Sequence, residues 1–431
     1  MRTIRVAVAG LGFVGRQTVR LLEQNRAHFA SRLGASVELA AVCDREVRGE
    51  ARALRLARSV LRARRPADLL RLPRLDIVVE LLGGLEAPRA LVVGALKAGR
   101  HVVTANKRLL SECWGEIQAA SSRGGGRLYF EASVAGGIPL LQSLDSALAA
   151  NRIEAVYGIL NGTTNYILTR AEEGLSAAEA LREAQRLGLA EKDPSLDLSG
   201  RDTAQKVSVL SSLITGSWIK TSRIACQGIE SIERADVCFA REKLGMTARL
   251  IGTLRLSWKR PVRVEAHVFP TLVPLGHPLA SVRGEYNAVM VQTSEASDLM
   301  FYGKGAGPKP AASAVVGDIF MLSRDILGGL PAQRPCAAAA EVSPVEDSVS
   351  PYYLRLAAQD RPGVLSRIAA SLGRRGISIA SIHQEASPGR EGVPVTLTTH
   401  PAAHGRFRAA LGEILRLDAV SRRHAAMRIL A

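Results

Sequence analysis

The first 130 residues alternate between short apolar runs and amphipathic segments, which is the pattern of buried strands joined by helices. The runs that predict strands cover residues 4–9, 37–43, 76–81 and 101–104. Helical periodicity is found at 17–23 and 88–98. This order predicts an α/β protein whose first domain is a doubly wound, Rossmann-like parallel sheet.

A glycine-rich turn joins the first predicted strand to the first predicted helix, with the sequence GLGFVG at 10–15. In this context Gly10 permits the tight turn, Gly12 lets the backbone approach a pyrophosphate, and Gly15 lets the helix pack on the strand. Unpaired N–H groups at the helix start suit the pyrophosphate. We therefore predict a dinucleotide site that also includes Phe13 and Val14.

The end of the second predicted strand gives conflicting information about the cofactor. Asp44 is placed to accept hydrogen bonds from the adenosine ribose, which favours NAD. Arg45 and Arg48 follow at once, and a guanidinium suits the 2′-phosphate of NADP. Both cofactors stay open at this point.

The strand at 101–104 ends in Thr104, followed by Asn106 and Lys107. Ligands of open α/β sheets lie outside the carboxyl ends of the strands, so Thr104 and Lys107 are candidates for the site. The alternative for Lys107 is a solvated loop cation.

Segment 188–206 contains four carboxylates and two lysines, and a helix from Ser199 or Gly200 through Leu213 places Asp202 and Lys206 four residues apart on one face. On a solvated helix such a pair contributes only a few tenths of a kcal/mol. Apolar residues follow, which favours a cleft where an amine can exchange a proton. Guanidinium cannot do so, and the chain uses 48 arginines but only nine lysines.

The net charge of +17 raises the question of nucleic-acid binding. Residues 1–130 hold 23 basic and 11 acidic side chains, and Arg48, Arg52, Arg55 and Arg62 are predicted to share one helical face. Without interleaved aromatics or a nucleic-acid fold, this indicates a solvated arginine face or a funnel for an anionic cofactor. We predict no nucleic-acid partner.

Length and residue usage point to a multidomain cytoplasmic protein. The 431 residues include five scattered cysteines without a CxxC pair, which argues against disulfides and zinc. No apolar run is long enough to span a bilayer, and the N-terminus lacks the pattern of a signal peptide.

Several motifs occur in an order that resembles homoserine dehydrogenase over residues 4 to about 330. Besides GLGFVG, they are TANK at 104–107, EASVAGGIP at 131–139, NGTTNYIL at 161–168, the segment 191–206 and YGKGAGPKPAASAVV at 302–316. The resemblance implies reversible reduction of L-aspartate 4-semialdehyde to L-homoserine with NADPH or NADH, in the synthesis of threonine, methionine and isoleucine.

The resemblance also implies roles for individual residues. Lys206 would be the general acid that protonates the developing alkoxide, and Asp202 would position or tune it. Lys107 would orient the substrate, while Glu191 and Asp197 would bind it, Glu191 through the substrate ammonium.

Further roles concern the cofactor and a cation. Gly303 would approach the cofactor, with Lys304 and Lys309 as weaker candidates. A sodium ion would be held by the oxygens of Glu131 (carboxylate), Val134, Gly136 and Ile138 (carbonyls). Without the resemblance, this stretch is equally a glycine-rich hinge.

Residues 351–431 resemble an ACT domain, because strands and helices follow in the order βαββαβ and DRPGVL at 360–365 opens the first helix. This implies an amino-acid effector, L-threonine being favoured, although such tails can also serve only to dimerise. The expected domains are 1–130 with a return segment at 303–330, an α+β domain at 131–302 for catalysis and dimerisation, a linker at 331–350, and the regulatory ACT domain at 351–431. We expect a homodimer or homotetramer.

Two alternatives remain beside this interpretation. The chain could be a dehydrogenase of another small amino acid, or a non-catalytic amino-acid sensor that has kept a cofactor site. The set of Glu191, Asp202 and Lys206 argues against the sensor.

Overall fold

The N-terminal segment forms a six-stranded parallel sheet with the order β3-β2-β1-β4-β5-β6. The computed structural model describes residues 2–331, 340–384 and 392–430. The elements of this segment are β1 (Thr3–Ala9), α1 (Phe13–Gln24), α2 (Arg26–Leu33), β2 (Ser36–Cys43), α3 (Val47–Ala53), β3 (Leu61–Ala63), α4 (Pro66–Leu69), β4 (Ile77–Glu80), α5 (Glu86–Lys97), β5 (His101–Thr104), α6 (Lys107–Gly124) and β6 (Leu128–Tyr129). The predicted Rossmann-like sheet is confirmed.

The middle of the chain contains a helical region followed by long antiparallel strands. Its elements are β7 (Ile153–Ile159), α7 (Gly162–Glu172), α8 (Ala177–Arg186), α9 (Ser195–Leu198), α10 (Arg201–Thr215), β8 (Ala225–Cys226), α11 (Arg234–Leu244), β9 (Met246–Ser257), β10 (Val262–Pro274), β11 (Tyr286–Thr293), β12 (Ser297–Lys304) and α12 (Pro308–Leu327). Helix α10 matches the helix predicted from Ser199 or Gly200 through Leu213.

The C-terminal region has the predicted βαββαβ order, with three short additional strands. Its elements are β13 (Ala340–Val342), β14 (Val349–Ser350), β15 (Tyr352–Ala358), α13 (Val364–Arg374), β16 (Ile379–Gln384), β17 (Val393–Thr399), β18 (Ala402–Ala403), α14 (His404–Ile414) and β19 (Val420–Ile429). The four long strands lie in the order β19-β15-β17-β16, as in a ferredoxin-like fold. Of the expected linker at 331–350, residues 332–339 lie outside the described residues.

The chain divides into two compact units. The first combines Met1–Arg152, Ser208–Thr221 and Phe301–Ala339. The second combines Ile153–Val207, Ser222–Met300 and Ala340–Ala431, so that α10 and β12 pass from one unit to the other. The expected domain boundaries stay predictions.

Helix α12 returns to the first unit and packs on its sheet. Its buried residues Val315, Ile319 and Leu322 belong to the same apolar core as Val6 and Val8 of β1. The buried apolar face of α12 therefore anchors residues 308–327 in the first unit, although they lie far along the chain from β1.

In the second unit, strands from the middle of the chain and from the C-terminal region form one sheet in the order β12-β11-β7-β9-β10-β19-β15-β17-β16. The junction is a short parallel pairing, in which Thr271 and Leu272 of β10 lie opposite Arg428 and Ile429 of β19. The ACT-like tail therefore extends the long-stranded sheet.

The arginine-rich stretch differs from the prediction of one helical face. Helix α3 ends at Ala53, Arg55 has a left-handed φ of 53°, and Arg62 lies on β3. The helix stops because the chain must turn to pair β3 with β2. Among all the described residues, no helix is both long and apolar enough to cross a membrane.

Candidate functional site

The glycine turn between β1 and α1 shows why each glycine is needed. Gly10 has a φ of 96°, and a Cβ there would lie 2.3 Å from the carbonyl oxygen of Leu81. A Cβ on Gly15 would lie 1.9 Å from the carbonyl oxygen of Gly10. By contrast, a Cβ on Gly12 would meet no atom within 4 Å, so the start of α1 is open to a pyrophosphate. The residues present fit a dinucleotide; Phe13 is largely exposed beside this opening and Val14 is half-buried.

This contrast gives a prediction for Gly12→Ala. Because the position is open and extended, with a φ of −64°, the melting temperature should stay within about 2 °C of wild type. The added methyl group occupies the approach of the pyrophosphate, so the Kd for reduced cofactor should rise at least about tenfold. Fluorescence titration and thermal unfolding measure both. Gly15→Ala is the contrasting variant and should lower the melting temperature; wild-type affinity in Gly12→Ala would contradict the assignment.

Asp44 supports the glycine turn. One oxygen of its carboxylate accepts the N–H of Leu11 at 2.7 Å and the other accepts the N–H of Glu46 at 3.0 Å. Both oxygens therefore hold backbone at the end of β2, and Arg45 beside them is exposed.

An open cleft of about 890 Å³ lies between α3 and β3. It is lined by six arginines, namely Arg48, Arg52, Arg55, Arg58, Arg62 and Arg64. Within the described part of the chain, none of these six arginines forms an ion pair. The carboxylates of Glu50 and Asp68 pair with other arginines, Arg16 and Arg65. An uncompensated group of guanidinium groups beside the end of β2 favours a phosphate.

The carboxyl ends of β4 and β5 are joined by a buried carboxylate, Glu80, that no sequence motif indicates. Glu80 accepts the hydroxyl of Thr104 at 2.6 Å and the N–H of Leu82 at 2.8 Å. Burial raises the pKa of Glu80, although these hydrogen bonds oppose the shift. Asn106 caps α6 by accepting the N–H of Leu109, and this cap places Lys107 at the first residue of that helix.

Both carboxylate oxygens of Glu131 are engaged by backbone, since they accept the N–H groups of Leu141 and Gln142, each at 2.8 Å. The carbonyl of Ile138 accepts the N–H of Leu140 at 2.8 Å. The carbonyls of Val134 and Gly136 are the other expected ligands, and the sodium site stays a prediction. In the described ranges, no group of three or more His, Cys, Asp or Glu side chains could hold a metal ion.

Asp318 lies beneath this turn. Its carboxylate accepts the N–H of Glu131 at 2.8 Å and the side-chain amide of Gln142 at 2.7 Å. Burial raises the pKa of Asp318 to about 8. The segment around Gly303 packs nearby, because Gly137 donates its N–H to the carbonyl of Lys304 at 3.1 Å.

The second unit brings together three of the predicted residues. The Nζ of Lys206 donates to Asp202 at 2.7 Å and to the carbonyl of Leu160 at 2.6 Å. The side chains are 12% exposed for Lys206 and 7% for Asp202, so the pair is shielded and still accessible. Asp197 is the third predicted residue of this group. A side chain that was not predicted as a site residue links it to Asp202.

That side chain is Asn161, the N-cap of α7. Its amide nitrogen donates to Asp197 at 2.7 Å and to Asp202 at 2.9 Å. Burial is the main cause that raises the pKa of Asp197, helped by the charge of Asp202 and opposed by the Asn161 hydrogen bond. The signal in the sequence was an Asn placed between a strand and a helix in the motif NGTTN.

The other candidates are not gathered into this cluster. Glu191 lies on an exposed loop, where its carbonyl accepts the side-chain amide of Gln185 at 3.1 Å. Lys304 and Lys309 are exposed in the first unit, around the start of α12. Chemically, the cluster of Lys206, Asp202 and Asp197 offers a held amine for proton transfer and carboxylates for a cationic substrate.

Three family matches cover most of the chain. Residues 10–131 match the NAD-binding domain of homoserine dehydrogenase, residues 139–320 match homoserine dehydrogenase, and residues 352–419 match the ACT domain. Among curated proteins, homoserine dehydrogenase of Synechocystis is 38% identical and that of Neisseria gonorrhoeae 36%. These alignments span 100% of both chains in the first case, and 98% of this chain and 97% of the relative in the second.

Solved structures similar to this chain are also homoserine dehydrogenases. A homoserine dehydrogenase from Thiobacillus denitrificans is 38% identical with a TM-score of 0.92, covering 100% of this chain and 99% of that one. The S. aureus enzyme at pH 7.5 is 29% identical with a TM-score of 0.75, covering 100% of both.

The glycine turn, the parallel sheet and the shielded lysine define an NAD(P)-dependent oxidoreductase with a C-terminal ACT domain. Such an enzyme pairs hydride transfer with movement of one proton. The chain belongs to the homoserine dehydrogenase family, which interconverts L-aspartate 4-semialdehyde and L-homoserine.

Proposed function

We propose that Lys206 is the proton donor when the aldehyde is reduced, and the acceptor when homoserine is oxidised. The supporting observation is its amine, held at 2.7 Å from Asp202 and 2.6 Å from the carbonyl of Leu160. Bound NAD(P)H would supply the hydride. Asp202 keeps the amine in place, Asp197 and Glu191 attract the substrate ammonium, and Lys107 orients the substrate.

The reaction is tested by following cofactor oxidation with L-aspartate 4-semialdehyde and identifying homoserine by chromatography. Oxidation with a different small amino-acid aldehyde, but not with this one, would indicate the alternative dehydrogenase. Cofactor binding without turnover of any aldehyde would indicate the sensor.

We also propose that NADPH is preferred over NADH. Asp44 already accepts two backbone N–H groups, and the arginine cleft next to β2 carries no compensating carboxylate among the described residues. A 2′-phosphate would gain charge-assisted hydrogen bonds there, whereas NADH has no group to use them. One solved structure with a similar fold, a hyperthermophilic archaeal homoserine dehydrogenase, is described as a complex with NADPH.

A double variant tests this preference. Arg48→Gln with Arg52→Gln should raise the KM for NADPH by about 10- to 100-fold, because each charge-assisted hydrogen bond contributes about 1.5–3 kcal/mol and exposure reduces that figure. The KM for NADH should change less than about twofold. Arg20→Gln, at an exposed position of α1, is the control for loss of one arginine charge outside the cleft. Equal losses with both cofactors would contradict the proposal.

For the ACT domain we propose feedback inhibition by L-threonine. The loop before α13 ends in Gly363, which has a left-handed φ of 87°, and the helix start that follows offers N–H groups to a carboxylate. Activity measured with and without millimolar threonine decides between this role and a purely structural tail.

Assembly and cation dependence complete the proposal. We propose a homodimer or homotetramer, measured by light scattering after size exclusion, and sodium binding at the turn 131–138. Replacing sodium by tetramethylammonium should then lower activity, and unchanged turnover would contradict the proposed sodium site.

A further inference from the structure

We propose that Asn161 is a positioning residue that holds Asp202 against Lys206 while keeping Asp197 and Asp202 apart as separate charges. This inference rests on the proposed role of Lys206. Asn161 is 4% exposed, and its one amide nitrogen donates to both carboxylates, at 2.7 Å to Asp197 and 2.9 Å to Asp202.

The orientation of the amide follows from its other end. The side-chain oxygen of Asn161 accepts the backbone N–H of Thr164 at 2.8 Å and the hydroxyl of Thr164 at 3.0 Å. A backbone N–H can only donate, so the oxygen must face Thr164 and the NH₂ group must face the carboxylates. A flipped amide would place its oxygen against two carboxylates.

One oxygen of Asp202, Oδ2, receives both donors, the amide of Asn161 and the amine of Lys206. Because the donors approach from two residues, the carboxylate cannot rotate to form a closer pair with Lys206 without losing the amide. The preceding residue, Leu160, holds the amine through its carbonyl. The junction of β7 and α7 therefore fixes both members of the pair.

The Asn161 amide also reduces the repulsion between the carboxylates of Asp197 and Asp202. Two carboxylates that share a shielded site repel each other, and a neutral donor between them relieves that repulsion without adding charge. The titratable groups that face it are Asp197 and Asp202, with Lys206 beyond Asp202. A cation at position 161 would compete with the lysine for Asp202, and a carboxylate would add a third negative charge.

Asn161→Asp separates this role from helix capping. Aspartate caps a helix as well as asparagine does, so α7 keeps its N-cap acceptor while the donor is lost. We expect kcat for aldehyde reduction at neutral pH to fall at least about tenfold. The alkaline limb of the kcat profile should move to higher pH, because reduction needs the protonated amine and a third carboxylate favours it. The KM for NADPH should stay within about twofold.

Two further variants complete the test. Asn161→Ser keeps a cap acceptor without new charge, and should lower kcat without the upward shift of the alkaline limb. Ser176→Ala removes the capping box of the neighbouring helix α8, and should lower stability but not kcat. If Asn161→Asp retains kcat within twofold, or loses it equally at every pH, the positioning role is wrong. Near-normal turnover in Lys206→Ala would instead overturn the proposed proton transfer, so the two failures are distinct.

Discussion

Lys206→Ala is expected to lower kcat by about two to four orders of magnitude, the range for loss of a general acid. The affinity for NADPH should stay within about twofold, because the glycine turn belongs to the other compact unit. Lys206→Arg should fail almost as badly. Its guanidinium keeps the charge beside Asp202 but does not release its proton.

Steady-state rates in both directions, together with cofactor titration, measure this result. Lys192→Ala is the matched control, since it removes an exposed lysine from the same stretch of chain and should change kcat less than about twofold. A Lys206→Ala enzyme with near-normal turnover at neutral pH would show that the proton comes from elsewhere.

The second large effect is expected for Asp236→Ala, on stability. Asp236 is fully buried and accepts the hydroxyl of Tyr353 at 2.8 Å and the guanidinium of Arg355 at 2.6 Å and 3.1 Å. These contacts join α11 to the first ACT strand, β15. Removing the carboxylate leaves Arg355 largely buried without its main partner, which costs about 3–5 kcal/mol for pairs of this kind.

Urea unfolding of the intact protein measures the change, through the transition that involves the second unit. Glu413→Ala is the control, because Glu413 pairs with exposed arginines of the same domain. Exposed pairs contribute less than about 1 kcal/mol, so its midpoint should move little. Similar losses in both variants would show that burial is not what makes the Asp236 contacts strong.

The sequence was sufficient for elements whose cause is local. Gly10, Gly12 and Gly15 lie within six residues of each other, and the helix carrying Asp202 and Lys206 follows from its own periodicity. Strand and helix order in the ACT region was predictable for the same reason. Each signal depends on neighbours along the chain.

What the sequence did not reveal depends on partners far along the chain. Glu80 matters because of Thr104, 24 residues away, and Asn161 because of Asp202, 41 residues away. The arginine face was predicted wrongly, since Arg55 takes a left-handed conformation that lets β3 reach β2. Propensity gives no sign of such tertiary demands.

The pairing of β10 with β19 and β13 determines what happens to a shortened chain. An enzyme ending before Ala340 would bare the N–H and C=O groups of β10 at 262–264 and at Thr271 and Leu272. An exposed strand edge of this kind can pair with a strand of a second molecule, so the shortened enzyme is expected to self-associate. Self-association would change activity by itself and would mask any effect of the deletion on the response to threonine. Point changes in the loop at 359–363 leave the edge of β10 covered, and they are therefore the better way to test the proposed threonine response.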